Sequence, residues 1–425
     1  MSKLAINGGR PIAYNYLSPK KFYDKLKVKN EICKVINSEM LSGFRGSMGK
    51  AFWGGVHIRD VEIKFESIMN IESNTVLSVN SCTSALIIAC GAIGLQPGDE
   101  VIVTPWSMSC SATAPLFYGA VPVFADIEKD YFCLDPKSIE EKITGKTKAI
   151  IVVDLFGQPF NYPAIRKIAD KYNLFIIEDS AQALGSEWGF NQNYAGTLGD
   201  IGCFSFTQGK HFTCGEGGFI LTKNEELFEK CALLRNHSDA VISSSNKLTA
   251  KYNGSNFIKL PGHNMRMTEI QAAILSIQLD HLEDEVEGRQ KIVEELERKI
   301  NVPGIKFAKV RKSCTHSYYV LAMHYDRDRI EVNRGKFLDA VRAELVTSKD
   351  FADRGIGVPI WGGYINPLYN MPIFNYSGFT LPVVEHLQSS ELFITLLQGL
   401  DLNESEIEII AEAFNKVYKY KEELL

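Results

Sequence analysis

One lysine of this chain stands in a sequence context that suits carbonyl chemistry. Lys210 follows an apolar run over residues 201–206 and precedes the glycine-rich residues 215–218. A lysine that attacks a carbonyl must be rigidly placed and partly desolvated, because only the unprotonated amine is a nucleophile. Ser205 adds a hydroxyl that suits a phosphate group. Taken alone, the segment fits a Schiff-base lysine and an ordinary loop lysine about equally well.

A carboxylate follows another apolar run. Residues 174–177 predict a short buried strand that leads directly into Glu178 and Asp179. Ligands of open α/β sheets bind at the carboxyl ends of strands, and a carboxylate there can keep a pyridine nitrogen protonated. We assign this role to Asp179 and a structural role to Glu178, and Gln182 is placed to donate to the phenolic oxygen of the same ring. The alternative for Asp179 is a turn or helix N-cap acid.

A strand, a polar turn and a helix come earlier in the chain. Residues 75–79 predict the strand, Cys82 and Thr83 lie in the turn, and residues 85–93 predict the helix. Backbone N–H groups and small hydroxyls at a helix N-terminus bind phosphate, so these residues and Ser205 are candidates for one phosphate site. A simple N-cap explains the turn equally well. The order of phosphate turn, carboxylate and lysine nevertheless predicts a pyridoxal-phosphate site.

The chain resembles the DegT/DnrJ/EryC1/StrS aminotransferases over nearly its whole length. The segments that carry the resemblance are residues 80–86, 178–182, 205–218 and 262–269. The resemblance implies a fold-type I enzyme that is usually a homodimer and uses pyridoxal 5'-phosphate. It further implies a reaction that aminates ketones of nucleotide-linked sugars or of cyclitols.

The resemblance also implies roles for individual residues. Lys210 would form the Schiff base with the cofactor, Asp179 would partner the pyridine nitrogen, and Gln182 would lie near the phenolic oxygen. Thr83 and Ser205 would bind the phosphate. The resemblance implies that Asn264 reaches the phosphate of the other subunit, whereas the residues alone also fit a turn residue before a helix.

The sequence departs from the family pattern at three places. Cys82 stands where many members have glycine, so we expect a slightly tighter approach of the backbone to the phosphate. Met108 aligns with the aromatic residue that stacks on the cofactor ring, with Trp106 nearby. Residues 364–369 lack the histidine that many sugar enzymes carry before the Pro-Leu pair. The sequence of residues 208–216 is more similar to the cyclitol and aminobenzoate branch of the family. Substrate recognition is therefore not carried over.

Composition indicates a cytoplasmic enzyme. The chain has 425 residues, of which 45% are hydrophobic, and this length predicts two domains. Lysine and arginine number 46 against 51 acidic residues without a basic block, so a nucleic-acid partner is not expected. The nine cysteines include no Cys-x-x-Cys pair, which favours reduced thiols over disulfides or a zinc site. No apolar run approaches the ~18 residues of a membrane span, so neither secretion nor a membrane partner is expected.

Strand-like runs alternate with helical stretches and predict an α/β fold: a mostly parallel sheet flanked by helices, plus a smaller C-terminal α+β domain. No Gly-x-Gly-x-x-Gly follows a strand, which disfavours a dinucleotide fold. The predicted strands are residues 100–104, 121–126, 148–153, 174–177, 202–206 and 218–222 in the large domain and 317–323 in the small one. A capping box at Thr268 predicts a long helix to about residue 300, residues 402–418 predict a terminal helix, and residues 238–256 predict a polar loop.

We expect three parts: an N-terminal segment over residues 1–30 that packs on the small domain, a large cofactor domain over 31–285, and a small domain over 286–425. The expected reaction moves an amino group from glutamate or glutamine to a keto sugar or a cyclitol ketone, with Lys210 as the general base. One alternative is a sugar dehydratase on the same fold, although such relatives have histidine where this chain has Lys210. The other is a non-catalytic regulatory protein. The histidines, His211 among them, show no metal-ligand spacing, so no metal is expected.

Overall fold

A computed structural model describes residues 2–46, 49–72, 74–189, 193–238, 261–374, 378–397 and 399–425. The polar loop predicted over 238–256 lies outside these residues, apart from Ser238. Within the described part of the chain, no helix is both long and apolar enough to cross a bilayer.

A seven-stranded sheet forms the centre of the molecule. The strands between residues 76 and 221 are β1 (Val76–Val79), β2 (Glu100–Val103), β3 (Val121–Phe124), β4 (Thr147–Val153), β5 (Phe175–Asp179), β6 (Glu187–Trp188), β7 (Asn193–Tyr194), β8 (Ile201–Ser205) and β9 (Gly218–Leu221). The sheet runs in the order β1-β9-β8-β5-β4-β2-β3, while β6 and β7 pair separately. All neighbours are parallel except β9, which is antiparallel to both β1 and β8. The predicted large-domain strands are confirmed, with ends shifted by one or two residues.

The strand register brings the predicted site features to one edge of the sheet. Val79 and Ser205, the last residues of β1 and β8, both pair with Gly218 at the start of β9. Asp179, the last residue of β5, pairs with Cys203 in β8. The predicted phosphate turn after β1, the Lys210 loop after β8 and Asp179 at the end of β5 therefore lie together, because the carboxyl ends of parallel strands share one edge of the sheet.

Helices flank this sheet and continue into the C-terminal part. In chain order they are α1 (Lys25–Asn37), α2 (Val56–Ile68), α3 (Cys82–Ala92), α4 (Cys110–Thr113), α5 (Pro136–Lys142), α6 (Tyr162–Tyr172), α7 (Glu225–Arg235), α8 (Glu269–Gln278), α9 (Leu282–Lys299), α10 (Arg327–Ile330), α11 (Arg334–Ala343), α12 (Lys349–Asp353), α13 (Pro382–His386) and α14 (Glu404–Lys419). The capping box at Thr268 is confirmed, because Thr268 and Gln271 exchange the expected bonds. A 3₁₀ turn over Leu279–His281 interrupts the predicted long helix between α8 and α9.

The C-terminal part contains a second, antiparallel sheet. Its strands are β10 (Ile305–Phe307), β11 (Leu321–Tyr325), β12 (Ile360–Gly362) and β13 (Leu392–Thr395), in the order β10-β11-β13-β12. Leu4, Ala13 and Leu17 are buried in the same apolar core as this sheet and the predicted terminal helix α14. The domain boundaries at residues 30 and 285 stay predictions.

The start of the strand predicted over 317–323 is wrong. The strand, β11, begins only at Leu321. The backbone before β11 bonds to another segment of the chain and not to the sheet. Ser317 N–H donates to the carbonyl of Gly157 at 2.8 Å, and Val320 N–H donates to the carbonyl of Phe156 at 3.2 Å. Apolar content alone cannot distinguish a sheet ladder from such a cross-connection.

A buried ion pair joins α2 to α7, and its carboxylate also accepts hydrogen bonds from the first strand of the sheet. Glu62 in α2 is fully buried, accepts hydrogen bonds from the backbone and hydroxyl of Ser78 at 2.8 and 2.9 Å, and lies 3.2 Å from Arg235 in α7. Because Arg235 is also fully buried, loss of the carboxylate would leave an uncompensated charge in the core.

We expect Glu62→Gln to lower the free energy of unfolding by ~3 kcal/mol, the cost typical of breaking a buried pair on one side. Urea denaturation of the two proteins measures the difference. The matched control is Glu31→Gln, which removes a surface pair with Lys34 and is expected to cost less than ~1 kcal/mol. Equal losses in the two variants would contradict the role of Glu62.

Candidate functional site

Asp179 presents a fixed, buried carboxylate at the carboxyl end of β5. Its side chain is 2% exposed. One oxygen accepts from the N–H of Ala181 at 3.2 Å and lies 3.8 Å from the thiol of Cys82, and the other accepts from the hydroxyl of Ser111 at 2.7 Å. Burial raises the pKa of Asp179, while the Ser111 hydrogen bond and the charge of Lys210 lower it. The carboxylate therefore lacks a full countercharge of its own.

Ser111 was not predicted from the sequence. It lies in the short helix α4, which follows the carboxyl end of β2, and its hydroxyl is 2.9 Å from that of Ser107. The small-residue run after a predicted strand was a usable signal, because ligand-facing side chains collect at these ends. Ser107 and Ser111 together fix the orientation of Asp179.

Lys210 lies in the loop between β8 and β9 and points into the site. It is 7% exposed, and its Nζ lies 4.3 Å from the centroid of the Tyr319 ring. Its charge acts to lower the pKa of Asp179 and of Cys82, and the loop that carries it follows β8, the neighbour of β5 in the sheet. Tyr319 was not predicted as a site residue, because nothing in its local sequence indicates a contact with the distant Lys210 loop.

The predicted phosphate turn is the N-terminus of α3. The hydroxyl of Ser81 caps the helix by accepting from the N–H of Ser84 at 3.1 Å, and the N–H groups of Cys82 and Thr83 belong to the first turn, which has no intrahelical acceptors. Both the ordinary cap and the anion-binding geometry are thus present in one turn.

Gly218 lets the helix end and the sheet approach each other closely. A Cβ at this position would lie 2.6 Å from the carbonyl carbon of Ser81 and 2.7 Å from the nitrogen of Cys82. Both contacts are with backbone, which cannot rotate away. Ser205 is the β8 partner of Gly218, so its side chain and the first turn of α3 flank the same small space. This cradle fits a phosphate group.

Gln182 has one end of its amide fixed and the other directed into the site. Its oxygen accepts from the N–H of Phe156 at 2.9 Å, and its nitrogen is 3.4 Å from the hydroxyl of Tyr364. Phe156 holds a φ of 64°, which is costly for a bulky residue and typical of functional sites. Burial raises the pKa of Tyr364, so this phenol stays protonated. Residues 364–369, which depart from the family pattern, thus supply a site residue.

The two candidates for the stacking residue differ in exposure. Met108 is 61% exposed, whereas Trp106 is fully buried and packs edge-on against Tyr364 with ring centroids 6.3 Å apart. The assignment of Met108 to the cofactor ring stays a prediction. His211 is buried in the core, with its Nε2 3.1 Å from the carbonyl of Ser317. Nowhere in the described ranges do histidine, cysteine and carboxylate side chains cluster as metal ligands would.

Asn264 lies beside the phosphate turn of its own chain. Its side-chain oxygen accepts from Nε of Arg266 at 2.8 Å, which leaves its amide nitrogen available as a donor. The N–H of Asn80 donates to the carbonyl of the next residue, Met265, at 3.0 Å. The predicted role of Asn264 toward a partner subunit is not tested by these contacts.

The donor set matches pyridoxal phosphate group by group. An anion-binding cradle lies next to Gly218, an under-compensated carboxylate suits a protonated ring nitrogen, and a buried amine suits an aldehyde. Gln182 offers an amide N–H for a phenolic oxygen. The residues present therefore fit this cofactor.

We expect Asp179→Asn to raise the thermal midpoint of the ligand-free protein at neutral pH. Burial raises the pKa of Asp179. Above that pKa the buried carboxylate is charged and lowers the free energy of unfolding, and this loss disappears as the carboxyl is protonated at lower pH. The gain from the substitution should therefore shrink as the pH falls through the raised pKa of Asp179. Scanning fluorimetry at several pH values measures it.

Asp280→Asn is the matched control. Despite partial burial, hydrogen bonds from Lys64 and Lys27 lower the pKa of Asp280, so its charged form contributes stability at neutral pH. This control should lose stability at pH 7.5. A lower midpoint for Asp179→Asn than for the unsubstituted protein at neutral pH would contradict our account of Asp179.

Comparison with known proteins gives a consistent result. A model of the DegT/DnrJ/EryC1/StrS aminotransferase family matches residues 41–413. The GDP-perosamine synthase of Escherichia coli O157:H7 is 30% identical over 367 residues, 86% of this chain and 92% of that enzyme. A putative L-glutamine:3-amino-2,3-dideoxy-scyllo-inosose aminotransferase of Micromonospora echinospora is 33% identical over 353 residues, 81% of this chain and 78% of that protein.

A solved structure agrees with these relatives. The aminotransferase from Psychrobacter cryohalolentis superposes with a TM-score of 0.78 at 27% identity and covers 95% of this chain and 99% of that one. The family match spans nearly all of the cofactor site described above. This chain belongs to the DegT/DnrJ/EryC1/StrS family of pyridoxal-phosphate-dependent aminotransferases.

Proposed function

We propose that the protein transfers an amino group from glutamate or glutamine to a ketone of a sugar or cyclitol, as a cytoplasmic homodimer in amino-sugar biosynthesis. The observation that carries the proposal is the burial of Lys210, in the loop that follows β8, and of Asp179, at the end of the neighbouring strand β5. A regulatory protein that had lost its chemistry would have no need to keep both charges buried, because isolated buried charges cost stability.

Each residue has a defined task in this proposal. Bound pyridoxal phosphate supplies an electron sink for the α-carbon of the amino donor. Lys210 Nζ takes the α-proton of the donor as general base and later returns a proton to the carbon that becomes aminated. Asp179, oriented by Ser111, keeps the ring nitrogen protonated, and Gln182 Nε2 donates to the phenolic oxygen.

The first turn of α3 and Ser205 would hold the phosphate. The backbone N–H groups of Cys82 and Thr83 and the hydroxyls of Thr83 and Ser205 are the donors that we assign. Because Gly218 brings these two elements together, they act as one rigid cradle. Met108 is the residue that we assign to the face of the ring.

The acceptor is a keto sugar, with a nucleotide-linked sugar favoured, or a cyclitol ketone. Relatives named for both classes are about equally similar: the GDP-perosamine synthase at 30% identity and the scyllo-inosose aminotransferase at 33%. Tyr364 contributes a protonated phenol to the site, so hydrogen bonding to acceptor hydroxyls or to the ketone is available without a histidine in residues 364–369.

The proposal is tested by amino transfer to panels of keto sugars and cyclitol ketones. We expect an aminated product with glutamate or glutamine as donor, no transfer with Lys210→Ala, and about a hundredfold lower turnover with Asp179→Asn, since one preorganised electrostatic partner is lost. Borohydride treatment followed by peptide mapping should place the cofactor on Lys210.

Mass analysis of the products separates the competing reactions. A deoxygenated sugar without added nitrogen would identify a dehydratase and overturn the proposed transfer. Cofactor mapped to another lysine, or near-normal turnover of Asp179→Asn, would overturn the residue assignments. Absence of bound cofactor after reconstitution would favour a regulatory protein.

We expect two inactive variants to complement each other if Asn264 serves the partner's site. In a hybrid of Lys210→Ala and Asn264→Asp subunits, one site has both original residues and the other has neither. The aspartate is chosen because its charge repels a phosphate strongly in a partly dry site. Random exchange should restore activity to about a quarter of the original level, because half of the dimers each hold one intact site.

Subunit exchange is verified with differently tagged chains. No recovery despite proven exchange would assign Asn264 to its own subunit, beside the Asn80 turn that it already approaches. A monomer in analytical ultracentrifugation would contradict the proposed assembly itself.

A further inference from the structure

The loop that carries Lys210 has little regular structure to hold it. It spans the gap between β8, which ends at Ser205, and β9, which begins at Gly218. Lys210 N–H donates to the carbonyl of Thr207 at 3.0 Å, but its own carbonyl is not part of the sheet. An active-site amine needs a well-defined backbone position, because a misplacement of ~1 Å can cost about a hundredfold in rate.

A second lysine, from the N-terminal segment, contacts this backbone directly. Lys20 Nζ donates to the carbonyl of Lys210 at 3.0 Å and to the carbonyl of His211. Lys20 also lies 5.7 Å from the centroid of the Phe212 ring. It thus contacts three consecutive residues of the loop, beginning at the one that carries the chemistry.

An ion network from α9 holds Lys20 in place. Glu285 lies 3.1 Å from Lys20 Nζ, accepts from Arg289 at 2.6 Å, and accepts from the hydroxyl of Tyr23 at 3.1 Å. Glu285 and Arg289 are 9% and 4% exposed. A paired and buried network of this kind has a single preferred geometry, because each group has charged partners and little freedom.

The same network also contacts the segment that carries Tyr319, the residue whose ring lies against the Lys210 amine. Arg289 donates to the carbonyl of Tyr318 at 3.1 Å, and the next residue is Tyr319, whose ring faces Lys210 Nζ. The His211 ring and the carbonyl of Ser317 form a second link, 3.1 Å long, between the two segments. Hydrogen bonds therefore hold both backbone segments, the one that carries Lys210 and the one that carries Tyr319, and so fix the contact between the two side chains.

We propose that Lys20 is a positioning residue that sets the placement of the Lys210 amine through the Lys20–Glu285–Arg289 network. Lys20 acts on the backbone of the loop and makes no contact with substrate in this role. The inference rests on the proposed function of Lys210, and it names a residue that lies outside the four segments that resemble the family.

The charge of Lys20 adds an electrostatic effect. Burial and the charge of Arg289 lower the pKa of Lys20 to about 8, against the opposing effects of Glu285 and Asp401. Tyr23 and His211 are the other titratable groups at this position. A neighbouring positive charge disfavours protonation of the linkage between Lys210 and an aldehyde, so loss of Lys20 should raise the pH at which that linkage titrates.

The test uses the cofactor-loaded protein and its visible absorbance. We expect Lys20→Met to lower kcat by about tenfold or more and to move the midpoint of the pH titration of the visible band upward. Lys20→Arg keeps the charge and the donors, so it should restore the midpoint and part of kcat. Lys27→Met is the matched control, because it removes an exposed pair with Asp280 from the same N-terminal region; its midpoint and kcat should be unchanged.

The possible results are distinct. An original kcat and midpoint in Lys20→Met would overturn the inference, as would equal losses in Lys27→Met. If Lys20→Met yields no folded protein, the pH titration of the visible band is measured on Lys20→Gln, which keeps N–H donors without the charge. An unchanged midpoint of that titration would again overturn the inference. Peptide mapping of the unsubstituted protein comes first: cofactor on another lysine overturns both proposals, whereas cofactor on Lys210 with an unchanged Lys20 variant overturns this one alone.

Discussion

Burial of opposite charges at one sheet edge is the constraint on which the site depends. Asp179 is almost completely buried, and it receives no direct ion pair among the contacts described above, only hydrogen bonds from a hydroxyl and a backbone N–H together with the more distant charge of Lys210. Burial therefore makes the charged carboxylate costly in the ligand-free protein, and a cationic partner would relieve that cost. Hydrogen bonds from the Ser111 hydroxyl and the Ala181 N–H fix its orientation.

The fold meets this constraint by a reversal of one strand. Because β9 runs antiparallel to its neighbours, the chain leaves β8, forms the Lys210 loop and returns beside the first turn of α3. A parallel β9 would need a long crossover and would begin at the opposite edge of the sheet. The reversal therefore places Gly218, at the start of β9, beside Ser205 and the N-terminus of α3.

The sequence was sufficient to predict the parts of the site that follow strand ends. Lys210, Asp179 and the turn at Thr83 were found because an apolar run followed by polar residues is a local signal. Tyr319 and Lys20 were not found, because each reaches the site through contacts between segments far apart in the chain. The misplaced start of β11 has the same origin: the hydrogen bonds of Ser317 go to Gly157, a pairing that no local pattern encodes.

Gly218 has a consequence for redesign of acceptor specificity. Diversifying the loop around Lys210 is an obvious route to new substrates, yet any side chain at position 218 would collide with the backbone of α3. Gly209, by contrast, has open space where a Cβ would be added. A mutational library for this loop should therefore keep position 218 invariant and place its diversity at position 209, where an added Cβ meets no neighbour within 4 Å.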